Sequence, residues 1–229
     1  MSYLQAAVIG ILQGITELFP ISSLGHSVLL PAFLGWDNIG GAQTAQESFY
    51  LAFLVGLHVA TAVALLFYFR QTWRRIIVGF FRTIRRRKIE TPDERLAWLL
   101  IVATVPVGLV GLLFEHSLRV LFAKPVAAGA FLIVNGVILF VGERLRVRRG
   151  AQVSMLTAKG DSAVPPRRLA TLKFSEAGFI GIAQVLSLFA GISRSGVTMV
   201  AGLIDGLDHE DAARFSFLLA TPIIFAAGI

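Results

Sequence analysis

The sequence predicts an all-α, polytopic integral membrane protein, and three observations lead to this fold class. Of the 229 residues, 55% are hydrophobic and only 15% are charged, a composition that soluble domains do not share. The apolar residues form runs long enough to cross a bilayer, and the cations concentrate between those runs. The runs do not alternate with period two, and open sheet edges cannot face lipid, so a β-structure is excluded.

Three apolar runs are long enough to span a hydrocarbon core of about 30 Å. They cover about residues 49–69, 96–114 and 126–142. A fourth predicted span, about 212–229, carries Arg214 near its beginning and runs to the last residue.

The formal net charge of +7 indicates membrane topology and not nucleic-acid binding. Sixteen of the 21 cations lie within Arg70–Lys88 and Arg144–Lys173, between apolar runs and not on a folded polar surface. The positive-inside rule therefore predicts that the basic loops 70–95 and 144–173 are cytoplasmic, beside anionic lipid headgroups. The chain has no cysteine, which excludes disulfides, thiolate nucleophiles and cysteine-bound zinc.

Two further apolar stretches are interrupted in the middle and do not fit a plain span. Residues 4–35 are broken around Pro20 and Gly25, and residues 174–205 are broken between Gly191 and Gly196. Each is predicted to be a re-entrant helical hairpin, because non-helical backbone at membrane depth must be buried in protein or line a wet cavity. An ordinary first helix over residues 4–20 followed by a loop is the alternative.

The two interrupted stretches also contain an internal repeat. Residues 9–25 align without a gap over residues 180–196, and seven of the 17 positions are identical. Three spans separate the hairpins, so we expect an inverted-topology repeat, in which broken helices build a site near the bilayer midplane. The predicted organisation is a first repeat over 1–143, the basic loop 144–173, and a second repeat over 174–229 that is shorter by about two helices.

The first hairpin carries a carboxylate, an imidazole and hydroxyls. Glu17 lies one helical turn after Gln13, and a carboxylate at membrane depth is costly, so it is expected to be functional or paired. His26 is a candidate general base or nucleophile, or else a packing residue. The loop residues Ser22, Ser23 and Gly25 place hydroxyls and a permissive backbone at a predicted helix N-terminus, an arrangement that favours the binding of an anion. For Glu17, the alternative is that it snorkels to the membrane surface at the end of a helix.

The second hairpin repeats this arrangement with a guanidinium added. Ser193, Arg194, Ser195 and Gly196 form its loop, and arginine suits bidentate capture of phosphate. A structural ion pair between Arg194 and Glu17 is the alternative to a catalytic role. His58, in the middle of the first span, is predicted to face the bundle interior in a structural role.

The two motifs resemble those of the bacterial undecaprenyl-diphosphatase family, which is associated with bacitracin resistance. QGITELFPISSLGHS is similar to the first family motif and GISRSGVT to the second, and the similarity runs over essentially the whole chain. The resemblance implies a phosphatase of the bacterial inner membrane that removes the terminal phosphate from a C55 polyprenyl diphosphate, giving the carrier lipid for cell-wall synthesis.

The resemblance also implies roles for individual residues. The catalytic residues would be Glu17, His26, Ser23 and Arg194, and the phosphate-binding residues would be Ser22, Gly25, Ser193, Ser195, Gly196 and Thr198. A divalent cation, Mg²⁺ or Ca²⁺, would be held by Glu17 and Gln13, although Gln13 occupies a position that is Glu in many relatives.

The expected mechanism is in-line attack on the terminal phosphorus, by water activated by His26 or by Ser23 or His26 as nucleophile. The first hairpin would open the site to the periplasm or exterior. The partners are the polyprenyl diphosphate and membrane lipids, no nucleic acid is expected, and a homodimer stays open. A lipid or anion transporter built on inverted repeats is the alternative function, and an unrelated lipid-phosphate phosphatase is a third.

Overall fold

The computed structural model describes residues 1–36, 39, 49–122, 124–157 and 169–227, and this part of the chain is helical. No strand occurs within these ranges, which confirms the predicted all-α class. The helices, numbered in chain order, are α1 Tyr3–Leu18, α2 Ser23–Phe33, α3 Phe49–Tyr68, α4 Arg70–Arg86, α5 Pro92–Phe122, α6 Pro125–Thr157, α7 Phe174–Gln184, α8 Arg194–Ile204 and α9 His209–Ala227. Short 3₁₀ turns lie at Leu169–Thr171 and Val185–Leu188.

Within the described ranges, three helices are long and apolar enough to cross a membrane. These candidate spans are Phe49–Tyr68 in α3, Pro92–Phe114 in α5 and Pro125–Arg148 in α6. They overlap the three runs that the sequence singles out, and the chain is accordingly a membrane protein. Most of their side chains face away from the protein, as expected for helices with lipid around them.

The two interrupted stretches form two pairs of short helices. Helices α1 and α2 are separated by a break at residues 19–22, and α7 and α8 by the 3₁₀ turn Val185–Leu188 and the loop that follows it. With 16 and 11 residues, α1 and α2 extend about 24 and 16 Å, so neither alone crosses a core of about 30 Å. Their re-entrant insertion and inverted relation stay predictions.

The prediction that residues 70–95 and 144–173 form loops is wrong for a large part of both segments. Residues 70–86 form helix α4, because apolar residues recur there every three or four positions. The helix ends at Arg87, whose backbone is left-handed with φ of 53°. Helix α6 likewise continues to Thr157, through much of the predicted loop 144–173. The Glu143–Arg146 ion pair, at 2.6 Å, stabilises this part of the helix. Residues 158–168 lie outside the described part of the chain.

Helix α9 forms the centre of the bundle. Its residues Phe215, Leu218 and Leu219 are fully buried, and it packs against α3, α5 and α8. It covers most of the fourth predicted span, whose last two residues lie outside the described ranges, but it is not among the three candidate spans by length and composition. This central helix contacts α8 of the second pair, while α6 contacts both α2 and α8.

Candidate active site

The breaks of the two helix pairs meet in space through two glycines. A Cβ atom placed on Gly25 would lie 2.7 Å from the Cα of Gly191, a distance that real side chains do not reach. Gly191 also has a φ of 113°, and a Cβ there would lie 2.4 Å from the carbonyl oxygen of Ala128. Only residues without a side chain allow this approach, so the glycines let the first and second loops touch.

Both loops begin their second helix with the same serine cap. The backbone N–H of Gly25 donates to Ser22 Oγ at 3.3 Å, and the N–H of Gly196 donates to Ser193 Oγ at 3.1 Å. Ser22 has a φ of 68°, unusual for a residue with a side chain. The repeated Ser and Gly positions therefore have one local function, which is to present two helix N-termini at the junction of the loops.

A buried amide in the middle of α6 joins the loops directly. Asn135 Nδ2 donates to the carbonyl oxygen of Pro20 at 3.0 Å, and its Oδ1 accepts the N–H of Ser193 at 2.9 Å. The side chain is only 2% exposed. Sequence reasoning missed Asn135, although an amide in an apolar span is a signal that could have found it.

The central feature of the site is an ion pair between residues 177 positions apart. Arg194 Nη2 donates to Glu17 Oε1 at 2.8 Å, and the two side chains are 12% and 9% exposed. Arg194 Nη1 also donates to the carbonyl oxygen of Ser216 in α9, at 3.3 Å. The structure thus brings the predicted carboxylate and guanidinium together, and α9 holds the guanidinium from behind.

The second oxygen of Glu17 faces a hydroxyl and an imidazole. Ser23 Oγ donates to Glu17 Oε2, and His58 Nε2 lies 3.3 Å from the same oxygen and 3.4 Å from Ser23 Oγ. His58 Nδ1 is 2.8 Å from the carbonyl oxygen of Leu54, which fixes the ring. The predicted structural role of His58 is therefore incomplete, since it belongs to the polar cluster around Glu17.

His26 lies beside the cluster and does not enter it. Its Nδ1 is 2.7 Å from the carbonyl oxygen of Ser22. Because a carbonyl oxygen only accepts, Nδ1 carries the proton and the Nε2 of a neutral ring keeps its lone pair. The structure gives the half-buried His26 no hydrogen bond to Glu17 or Arg194, so its predicted part in catalysis depends on reaching a substrate.

Two hydroxyls of the second motif take different places. Ser195 Oγ is 3.0 Å from Ser193 Oγ and 3.4 Å from the carbonyl oxygen of Glu17, so it lies at the loop junction. Thr198 Oγ1 instead donates to Ser216 Oγ at 2.7 Å and is 1% exposed. The structure therefore places Thr198 between α8 and α9, against Ser216, whose carbonyl oxygen also accepts from Arg194.

Comparison with known proteins identifies the family to which this arrangement belongs. The profile of the family described as "Bacitracin resistance protein BacA" matches residues 6–229. This chain belongs to that family. The match agrees with the resemblance seen in the two motifs.

Several relatives of the BacA family are similar to the chain over nearly all of its length. It is 56% identical to the undecaprenyl-diphosphatase of Mycolicibacterium paratuberculosis, an alignment that covers 100% of this chain and 77% of the relative. It is 52% identical to undecaprenyl-diphosphatase 2 of Frankia alni, with 100% and 80% covered. For undecaprenyl-diphosphatase 1 of Burkholderia pseudomallei the identity is 45%, with 96% and 72% covered.

The predicted cation ligands do not form a cage in this BacA-family chain. Both oxygens of Glu17 are engaged, and Gln13 Oε1 accepts a hydrogen bond from Thr61 at 3.2 Å while its buried Nε2 has no partner. Among the described residues no group of three or more His, Asp or Glu side chains could hold a metal ion. These residues by themselves therefore do not fit a divalent cation, and the predicted Mg²⁺ or Ca²⁺ stays a prediction.

Proposed function

We propose that this chain is a membrane phosphatase that hydrolyses undecaprenyl diphosphate to the monophosphate and inorganic phosphate. The observation that carries the proposal is the Glu17–Arg194 pair, which joins the two loop motifs inside an apolar bundle. The names of the relatives supply the substrate: they are undecaprenyl-diphosphatases. Leu18, Phe19 and Ile21, which follow Glu17 in the chain, are exposed apolar residues, and such a surface beside a charged cluster suits a substrate with a long lipid tail and a charged head.

The phosphate-binding elements would be the guanidinium and the two helix N-termini. An arginine has five N–H donors, and Arg194 uses one toward Glu17 and one toward Ser216, so three remain for phosphate oxygens. The first turns of α2 and α8 add backbone N–H groups and the positive ends of their dipoles. These fixed donors in a water-poor site would stabilise the charge of the transferring phosphoryl group.

Among the three candidate nucleophiles, the contacts favour Ser23. Its hydroxyl already donates to Glu17, so the carboxylate is placed to accept the proton as Oγ attacks the terminal phosphorus. The bond to the bridging oxygen would break, the lipid monophosphate would leave, and water would then release phosphate from Ser23. His58 would orient Glu17, and the free Nε2 of His26 would activate that water.

We further propose that the site opens to the periplasm or the cell exterior of the inner membrane. The support is the distribution of cations, which by the positive-inside rule favours a cytoplasmic position for α4 and the end of α6. Single cysteines introduced at Ser2 and Lys173 test this, because the chain has no other cysteine. Labelling of both positions from the same side of intact cells would contradict the inverted arrangement.

Phosphate release from undecaprenyl diphosphate in detergent tests the function itself. No transport occurs without a membrane, so the alternative of a lipid or anion transporter predicts no phosphate there. Arg194→Ala and Glu17→Gln should each lower turnover by about 100-fold or more, the range seen when a transition-state donor is lost. Thr104→Val is the matched control, because Thr104 lies in a candidate span and its hydroxyl donates to the carbonyl oxygen of Leu100 and to no other group in the described part of the chain. A folded chain without phosphate release would overturn the proposal.

A further inference from the structure

An apolar groove runs along the outside of the bundle, away from the Glu17 cluster. It has a volume of about 520 Å³ and is lined by residues of α4 and α5 and by Pro222 of α9. Its α5 wall extends from Ala97 to Leu112, which is roughly 22 Å at 1.5 Å per residue. This wall is part of the candidate span Pro92–Phe114, so the groove has the depth of a lipid chain within the bilayer.

The arginines of α4 fall into two groups according to the side of the helix they occupy. Arg75, Arg82 and Arg86 face the beginning of α5 and its preceding turn, where they pair with Asp93, Glu94 and Glu90 at 3.3, 3.6 and 3.3 Å. These three charges are neutralised within the protein.

The other side of α4 carries cations without carboxylate partners. Arg74 is three residues before the groove residue Ile77, and Arg85 is four residues after Phe81, so both border the groove. Both are exposed, and within the described ranges neither has an ion pair. An apolar stripe bordered by unpaired arginines is the pattern of a helix that lies in the headgroup region.

A buried donor in the groove wall points to a ligand with acceptor atoms. The indole Nε1 of Trp73 is buried and has no hydrogen-bond partner in the described part of the chain. Ile77 and Phe81 beside it are 48% and 64% exposed, so the protein does not close over them. A donor with no acceptor next to uncovered apolar residues suits a lipid ester carbonyl above an acyl chain.

We propose that this groove is a binding site for an anionic phospholipid, with one acyl chain between α4 and α5 and the anionic headgroup attracted by the positive charge of Arg74 and Arg85. The unpaired positive charge selects an anionic headgroup, and the apolar wall along a candidate span selects a membrane lipid over a soluble ligand. The site is separate from the Glu17–Arg194 pair, so the proposal does not depend on the proposed function.

Bromine quenching of tryptophan fluorescence measures occupancy of the groove. The chain is placed in phosphatidylcholine vesicles in which an increasing share is replaced by phosphatidylglycerol with brominated acyl chains. We expect preferential quenching by this lipid, lost in Trp73→Phe, because Trp73 lies in the groove wall. Arg74→Gln combined with Arg85→Gln should lower the preference by roughly 10- to 30-fold, since each arginine near a membrane surface contributes about 1 kcal/mol.

Two matched variants separate this site from general effects of charge or packing. Arg75→Gln with Arg86→Gln removes the same charge from α4 but from paired residues, and should keep the preference. Gly108→Leu places a side chain in the groove, and its Cβ would have no atom within 4 Å, so this variant should abolish preferential quenching. Gly136→Leu, whose Cβ would also have no atom within 4 Å but which does not line the groove, should keep it. An unchanged unfolding temperature in detergent would show that the variants fold.

Three results would overturn the proposal. They are equal quenching by brominated phosphatidylcholine and brominated phosphatidylglycerol, undiminished preference in Gly108→Leu, and displacement of the brominated lipid by undecaprenyl phosphate. The last result would assign the groove to the polyprenyl lipid.

Discussion

Replacing Asn135 with leucine removes the one side chain that bonds both loops in the described structure. The carbonyl oxygen of Pro20 and the N–H of Ser193 each lose a partner, at 3.0 and 2.9 Å respectively. An unpaired buried polar group costs about 1–3 kcal/mol, so the docked loops lose about 2–6 kcal/mol. Leucine has a similar volume, which keeps the apolar packing of α6 largely intact.

We expect the loss to appear in turnover, with KM rising as well, because the proposed phosphate-binding groups lie on both loops. If Glu17 and Arg194 meet in only a fraction of the molecules, kcat for phosphate release falls in proportion to that fraction. A loss of about 2 kcal/mol in the free energy of loop docking corresponds to a decrease in kcat of up to roughly 30-fold. Asn135→Asp keeps an acceptor for the N–H of Ser193 but cannot donate to Pro20, so its turnover should lie between leucine and wild type.

The assay compares kcat, KM and the unfolding temperature in detergent, with Thr104→Val as the control. Combining Asn135→Leu with Arg194→Ala should cost little more turnover than Arg194→Ala alone, because both act on one arrangement. A kcat of Asn135→Leu within twofold of wild type, or a fully additive double variant, would refute the reasoning.

Three other predictions follow from the site. His58→Ala should lower turnover by about 100-fold or more with a modest change in KM, because the imidazole contacts Glu17. Wild-type kinetics in this variant would show that His58 has only a structural role. Gly25→Ala should lower both the unfolding temperature and turnover, because its Cβ would meet the backbone of Gly191 at 2.7 Å, whereas Gly136→Ala, with open space around it, should be neutral or stabilising. Removing divalent cations with a chelator should leave the unfolding temperature unchanged, because the described residues include no group of three or more His, Asp or Glu side chains that could hold an ion. A chelator-induced loss of stability would contradict this last expectation.

The sequence by itself determined the features that depend on neighbouring residues. The composition and the length of the apolar runs indicate a helical membrane protein. The Ser and Gly spacing of the two motifs predicts helix N-termini, and the caps at Ser22 and Ser193 have that geometry. Helix α4 was within reach of the same reasoning, because its apolar period is visible in the sequence, but its arginines suggested a loop.

Only the tertiary structure decided which distant groups share the site. His58 and Asn135 come from spans between the two motifs, and although a polar residue in an apolar span is visible in the sequence, its contact with Glu17 or with the loops is not. Thr198 belongs to the second motif, yet the rotation of α8 turns its hydroxyl toward Ser216. Which face of a helix meets which neighbour depends on how all the helices pack together, and spacing along the chain does not contain that information.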